Sequence, residues 1–102
     1  MSQLESLNYT VESGDPHGHE TTVYALSTCG FCRRGLEFLR NHKIAFKFVY
    51  VDQLEYDLKQ KVKEELQAKY DARVVFPYLV LDSKEVVTGF VEEKWKEIFK
   101  IQ

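Results

Sequence analysis

The sequence predicts a single α/β domain built on one mixed four-stranded sheet flanked by helices. Three observations carry this. Short β-rich runs alternate with amphipathic stretches in the order β-α-β-α-β-β-α, which is the pattern of helices packed on a sheet. With 102 residues, the chain falls in the range where one core is buried. Its 44% hydrophobic and 29% charged residues are those of an ordinary globular protein.

Residues 1–19 form a head apart from the domain expected over 20–102. Leu4, Leu7, Tyr9 and Val11 are followed by the breaker cluster Ser13-Gly14-Asp15-Pro16-His17-Gly18-His19. The head is either an extra edge strand or an unstructured tail. Thr22–Leu26 reads as the first strand, and Ser27-Thr28 suit the position just before a helix. That helix is expected from Cys29 to His42, with Cys32, Leu36, Phe38 and Leu39 as its apolar stripe. Ala45–Val51, aromatic and β-branched, follows as a buried strand. Strand, helix, strand implies a parallel, right-handed crossover.

Leu54, Leu58, Val62, Leu66 and Tyr70 recur every four residues and describe a second helix ending near Asp71-Ala72. Tyr78–Leu81, the turn Asp82-Ser83-Lys84 and Glu85–Thr88 form an antiparallel hairpin. After Gly89, a closing helix places Val91, Trp95, Ile98 and Phe99 on one face.

Composition excludes several classes of function. The net charge of −2 offers no electrostatic footprint for nucleic acid. No apolar run approaches the roughly 20 residues of a membrane span. The first 20 residues hold four acidic side chains and no Lys or Arg, unlike a secretory signal, so a cytoplasmic location is expected. Two cysteines spaced C-x-x-C close too short a loop to be a structural staple, and their purpose is expected to be chemical.

Cys29 at a helix start faces unpaired N–H groups and the positive end of the helix dipole, about half a charge, and both favour the thiolate. Arg33 and Arg34 stand one turn on. Cys32 lies three residues further on the same face, within reach for a reversible disulfide. The inferred cycle is attack by Cys29 on a target disulfide, then resolution of the mixed disulfide by Cys32. Phe76-Pro77, before a core strand, suggests a cis bond that leaves the Phe76 backbone free for an extended ligand. A weaker alternative joins the cysteines to His17 and His19 as a zinc site, but those histidines lie across a strand from them and in the reverse of the usual ligand order. A domain with inert cysteines is a further alternative.

Val23-Tyr24 before Cys29-Gly30-Phe31-Cys32, the Phe76-Pro77 step before a hairpin and Gly89 after it resemble the glutaredoxin branch of the thioredoxin-fold family, over about residues 21–101. The resemblance implies a thioredoxin-like fold, Cys29 as nucleophile, and Pro77 as a cis proline that touches substrate. Thr28 stands where a typical thioredoxin has Trp. Typical glutaredoxins hold glutathione with a Lys or Arg before the cysteine pair, a Thr-Val-Pro step, and Gly-Gly followed by acidic residues. This chain has Ala25-Leu26-Ser27, Val75-Phe76-Pro77 and Gly89-Phe90-Val91-Glu92 at those places. Loss of the cation removes a charge-assisted hydrogen bond of about 1.5–3 kcal/mol.

The chain is in this respect similar to glutaredoxin-like redoxins that pass electrons to ribonucleotide reductase and are recharged by a dedicated reductase. The resemblance further implies a monomeric dithiol oxidoreductase acting on protein disulfides. No resident cofactor or metal is expected, and either glutathione or a reductase is the electron source. Phe31, Phe76, Pro77 and Phe90 are the expected substrate contacts. Cys-Gly-Phe-Cys also resembles the Cys-Gly-Phe-Ser of cluster-bridging single-thiol glutaredoxins, which makes an iron–sulfur module using Cys29 the alternative.

Overall fold

A computed structural model describes residues 3–101. Five strands, β1 (Thr10–Glu12), β2 (Thr21–Ala25), β3 (Phe46–Tyr50), β4 (Tyr78–Leu81) and β5 (Glu85–Thr88), form one sheet in the order β1-β3-β2-β4-β5. Three helices, α1 (Gly30–Asn41), α2 (Tyr56–Tyr70) and α3 (Glu92–Ile98), complete the domain. β2 runs parallel to β3 and antiparallel to β4, and β4 and β5 form the expected hairpin.

β2 is central and buried along its whole length. Its alternation divides the interior, because successive strand side chains point to opposite faces. Val23 and Ala25, with Leu79 and Leu81 of β4, pack against Leu36 and Leu39 of α1 and Trp95 of α3. Tyr24, Tyr78 and Val80 face the other way, onto Val62 and Leu66 of α2. Slipping β2 by one residue would exchange these two sets, so the register is held by both cores at once.

The four strands expected from the sequence are present, and the head supplies the fifth. β1 pairs antiparallel with β3, Thr10 opposite Phe48 and Glu12 opposite Phe46. Leu4 and Leu7, around a 3₁₀ turn at Leu4–Ser6, are buried in the core under α2. The Tyr9 hydroxyl hydrogen-bonds the Tyr24 hydroxyl at 2.8 Å and donates to the Leu4 carbonyl at 2.7 Å. Arg40 of α1 donates from Nε and Nη2 to the Glu12 carboxylate at 2.6–2.9 Å. Gly14 permits close passage over the α1–β3 turn: a Cβ there would meet the Lys43 carbonyl oxygen at 2.4 Å, so no larger residue fits.

Two helix boundaries differ from the expectation. Leu54 precedes α2, since Val51–Gln53 form a separate 3₁₀ turn and the helix starts at Tyr56. Val91, expected on the buried stripe of α3, is 58% exposed. It is the residue before the first helical turn, with extended backbone at φ −123°, so helical spacing does not govern where it lies. Among the described residues no helix is long and apolar enough to cross a membrane.

Candidate active site at the start of α1

β2 delivers the chain to the site through the turn Leu26-Ser27-Thr28, closed by the Cys29 N–H donating to the Leu26 carbonyl at 3.3 Å. Cys29 is the N-cap of α1, with extended backbone at φ −97° and ψ 120°. Its sulfur accepts the backbone N–H of Cys32 at 3.2 Å, taking the place that an Asp or Ser oxygen usually fills at a helix start. The sulfur thus satisfies one of the orphan donors of α1 and sits where the helix dipole is positive.

The two thiols have opposite surroundings. Both are free, Cys29 partly exposed and Cys32 fully buried. The Cys32 sulfur lies behind Cys29 and accepts the Leu26 N–H at 3.4 Å. Burial pushes the Cys32 thiol up to about 12, and its contact with Cys29 adds to this; the Leu26 N–H works in the opposite sense. Iodoacetamide at neutral pH is therefore expected to alkylate Cys29 and spare Cys32 in the native reduced protein. Peptide mass spectrometry checks this, and equal labelling of both would contradict the burial of Cys32.

The register brings the other expected residues to the same end of the sheet. Tyr24 lies opposite Tyr78, so the start of β4 stands beside the end of β2. The Phe76–Pro77 peptide bond is cis, as expected, and the buried Pro77 accepts the Gly89 N–H at 2.8 Å through its carbonyl. Phe76 is half-buried and touches both cores. Phe31, between the cysteines, is 58% exposed, with the Arg34 guanidinium 5.8 Å from its ring centre. Phe90 faces inward instead: its ring stands edge-on to Trp95 at 4.8 Å and tilted on Phe38 at 5.8 Å, in the seam between α1 and α3.

Sequence reasoning missed Ser27 and Asp52. In the parallel pair Ala25 lies opposite Tyr50, so the residues two further on, Ser27 and Asp52, meet beyond the strand ends. Ser27 donates its N–H to Asp52 Oδ1 at 2.9 Å and its hydroxyl to Oδ2 at 2.5 Å. Burial opposes the charged Asp52, but the two Ser27 donors outweigh it and hold the carboxyl below the usual range. An acid two residues past a strand parallel to the one feeding the cysteines was the available signal.

Among the described residues no group of three or more His, Cys, Asp or Glu side chains is placed to hold a metal ion. His19 is engaged elsewhere, with Nδ1 2.8 Å from Asp82 Oδ2 at the β4–β5 turn. A hollow of about 780 Å³ lies between the head and the start of β2, bordered by Val11, Pro16, Thr21 and Phe46. It is at the opposite end of β2 from the cysteines, of which Cys29 reaches the surface and Cys32 does not.

A dithiol at the N-terminus of a helix, behind a cis proline on a mixed sheet, defines a class of thiol–disulfide oxidoreductase with a thioredoxin-like fold. Comparison with known proteins narrows the class. The glutaredoxin family model matches residues 21–86, which contain both cysteines and Pro77, and the chain belongs to the glutaredoxin family. Among solved structures it is similar to a glutaredoxin of Methanosarcina mazei Go1, with 29% identity, TM-score 0.73 and coverage of 90% of this chain and 85% of that one. A methanoredoxin of Methanosarcina acetivorans is 27% identical with TM-score 0.77, over 91% and 95% of the two chains. A glutaredoxin of Archaeoglobus fulgidus is 34% identical with TM-score 0.68, over 81% and 88%. No curated protein sequence matches the chain.

Proposed function

We propose that this protein is a monomeric, cytoplasmic redoxin that reduces the disulfides of protein partners, with Cys29 as the attacking sulfur and Cys32 as the resolving one. The observation that carries the reading is the asymmetry of the pair. Cys29 is accessible at the helix N-terminus with its sulfur accepting an N–H, whereas Cys32 is sealed behind it and held neutral. The Cys29 thiolate attacks one sulfur of the target disulfide and the other leaves as a thiol. Cys32 then displaces the target from Cys29, and the protein is left with a Cys29–Cys32 disulfide.

Electrons are then supplied by a dedicated reductase rather than by glutathione, and a ribonucleotide reductase is a partner of the fitting kind. The absence of a cation at Ala25-Leu26-Ser27 supports this. So does Phe31 between the two cysteines, which is 58% exposed and suits the apolar core of a protein contact. Phe90 contributes through packing beneath α1, and Phe76 and Pro77 through the wall next to Cys29. The test supplies the oxidised protein with glutathione plus glutathione reductase, and separately with a thioredoxin-type reductase. Turnover of a protein disulfide is expected only with the second. Saturating turnover with glutathione would overturn the choice of electron donor.

A further inference from the structure

The contact between Ser27 and Asp52 reaches the chemistry through one turn. Asp52 holds Ser27 by two hydrogen bonds. Ser27 is flanked by Leu26, whose N–H donates to the Cys32 sulfur and whose carbonyl accepts from Cys29. A carboxylate on β3's trailing turn is thereby tied to both cysteines without touching either, and its negative charge acts on the Cys32 thiol. Burial acts most strongly on that thiol, followed by Cys29, the Leu26 N–H and Asp52; on Asp52 burial is opposed by Ser27, its own amide and Lys59 of α2.

We propose that Asp52 is a positioning residue that sets the lifetime of the mixed disulfide: through Ser27 it anchors the turn whose Leu26 backbone holds both cysteines, and its negative charge, tied by that turn to the Cys32 sulfur, opposes the resolving step. This rests on the dithiol reading above. In the resolving step Cys32 loses its proton and its sulfur attacks the Cys29 sulfur. The bond from Cys29 to the partner sulfur breaks as the Cys29–Cys32 bond forms. The partner leaves with the electron pair and takes up a proton, so it is reduced while Cys32 is oxidised. A nearby anion disfavours the thiolate that must form, and so retards this step alone.

The experiment mixes the reduced protein with 5,5′-dithiobis(2-nitrobenzoate) in a stopped-flow instrument from pH 6 to 9. The first thionitrobenzoate released reports attack by Cys29, and the second reports resolution by Cys32. Asp52→Asn keeps hydrogen-bonding atoms at both Ser27 contacts and removes the charge. With the anion gone the Cys32 thiolate forms more readily, and after the accompanying fall in nucleophilicity the second phase is expected to speed up about twofold at each pH. The first phase should be unchanged. Ser27→Ala, which loosens the turn and leaves the charge, should keep the wild-type pH profile. A second phase that is unaltered or slower in Asp52→Asn overturns the inference, as does equal acceleration in Ser27→Ala. If the first release does not occur at all, it is the dithiol reading that fails.

Discussion

Cys29→Ser is expected to lose disulfide-reducing activity down to the uncatalysed background. The reason lies in what Cys32 cannot do in its place. Burial pushes the Cys32 thiol well above the usual cysteine range, so it offers little thiolate at neutral pH. The side chain is also fully buried, so no target disulfide reaches it in line. Cys32→Ser should behave differently, forming the mixed disulfide through Cys29 and then accumulating it, because nothing remains to displace the partner. Turnover of insulin disulfides and non-reducing gels of the trapped adduct check the pair of variants. Activity retained in Cys29→Ser together with loss of adduct in Cys32→Ser would reverse the assigned roles.

Trp95→Ala is expected to cost about 3–5 kcal/mol of stability, a large part of what a domain of this size possesses. Trp95 is fully buried and joins α3 to the rest of the protein, against Phe38, Phe90 and Gly35 of the opposing surface. Its indole Nε1 has no hydrogen-bond partner, so the loss is one of packing. Gly35 is the socket: a Cβ there would approach the indole Cη2 at 2.9 Å and Cζ3 at 3.2 Å. Gly35→Ala should therefore destabilise the wild-type protein, overpacking outweighing the gain of about 1 kcal/mol in helix propensity. In a Trp95→Phe background those two indole atoms are gone, and the same change should stabilise. Urea unfolding of the four proteins measures the cycle; additive effects would mean that Gly35 and Trp95 do not share the contact.

Much of the architecture was legible because it is written in local patterns. The β-rich run Thr22–Leu26, the four-residue spacing of Leu58, Val62 and Leu66, and the turn at Asp82-Ser83 each announce their element within a few residues. The head could not be assigned in this way. β1 is three residues long with one large apolar side chain, and its order comes from distant partners, Tyr24 for Tyr9 and Arg40 for Glu12. The site divides along the same line. Cys29, Cys32 and Phe76-Pro77 are contiguous motifs and stood out. Asp52 required knowing that Ala25 and Tyr50 are partners, and the inward turn of Phe90 required knowing that α1 offers a glycine opposite Trp95.

The position of β1 has a bearing on solubility. β3 carries Phe46, Phe48 and Tyr50 in five residues, and without β1 its backbone would be an open edge rich in aromatic side chains. Such an edge is a template for pairing with another copy of the same chain. The short strand that replaces it at the border of the sheet ends in Glu12, itself paired with Arg40, and four residues on comes Pro16, which has no N–H to offer a further strand. The head thus acts as a selvedge, a finished border that keeps the sheet from being continued by its neighbours.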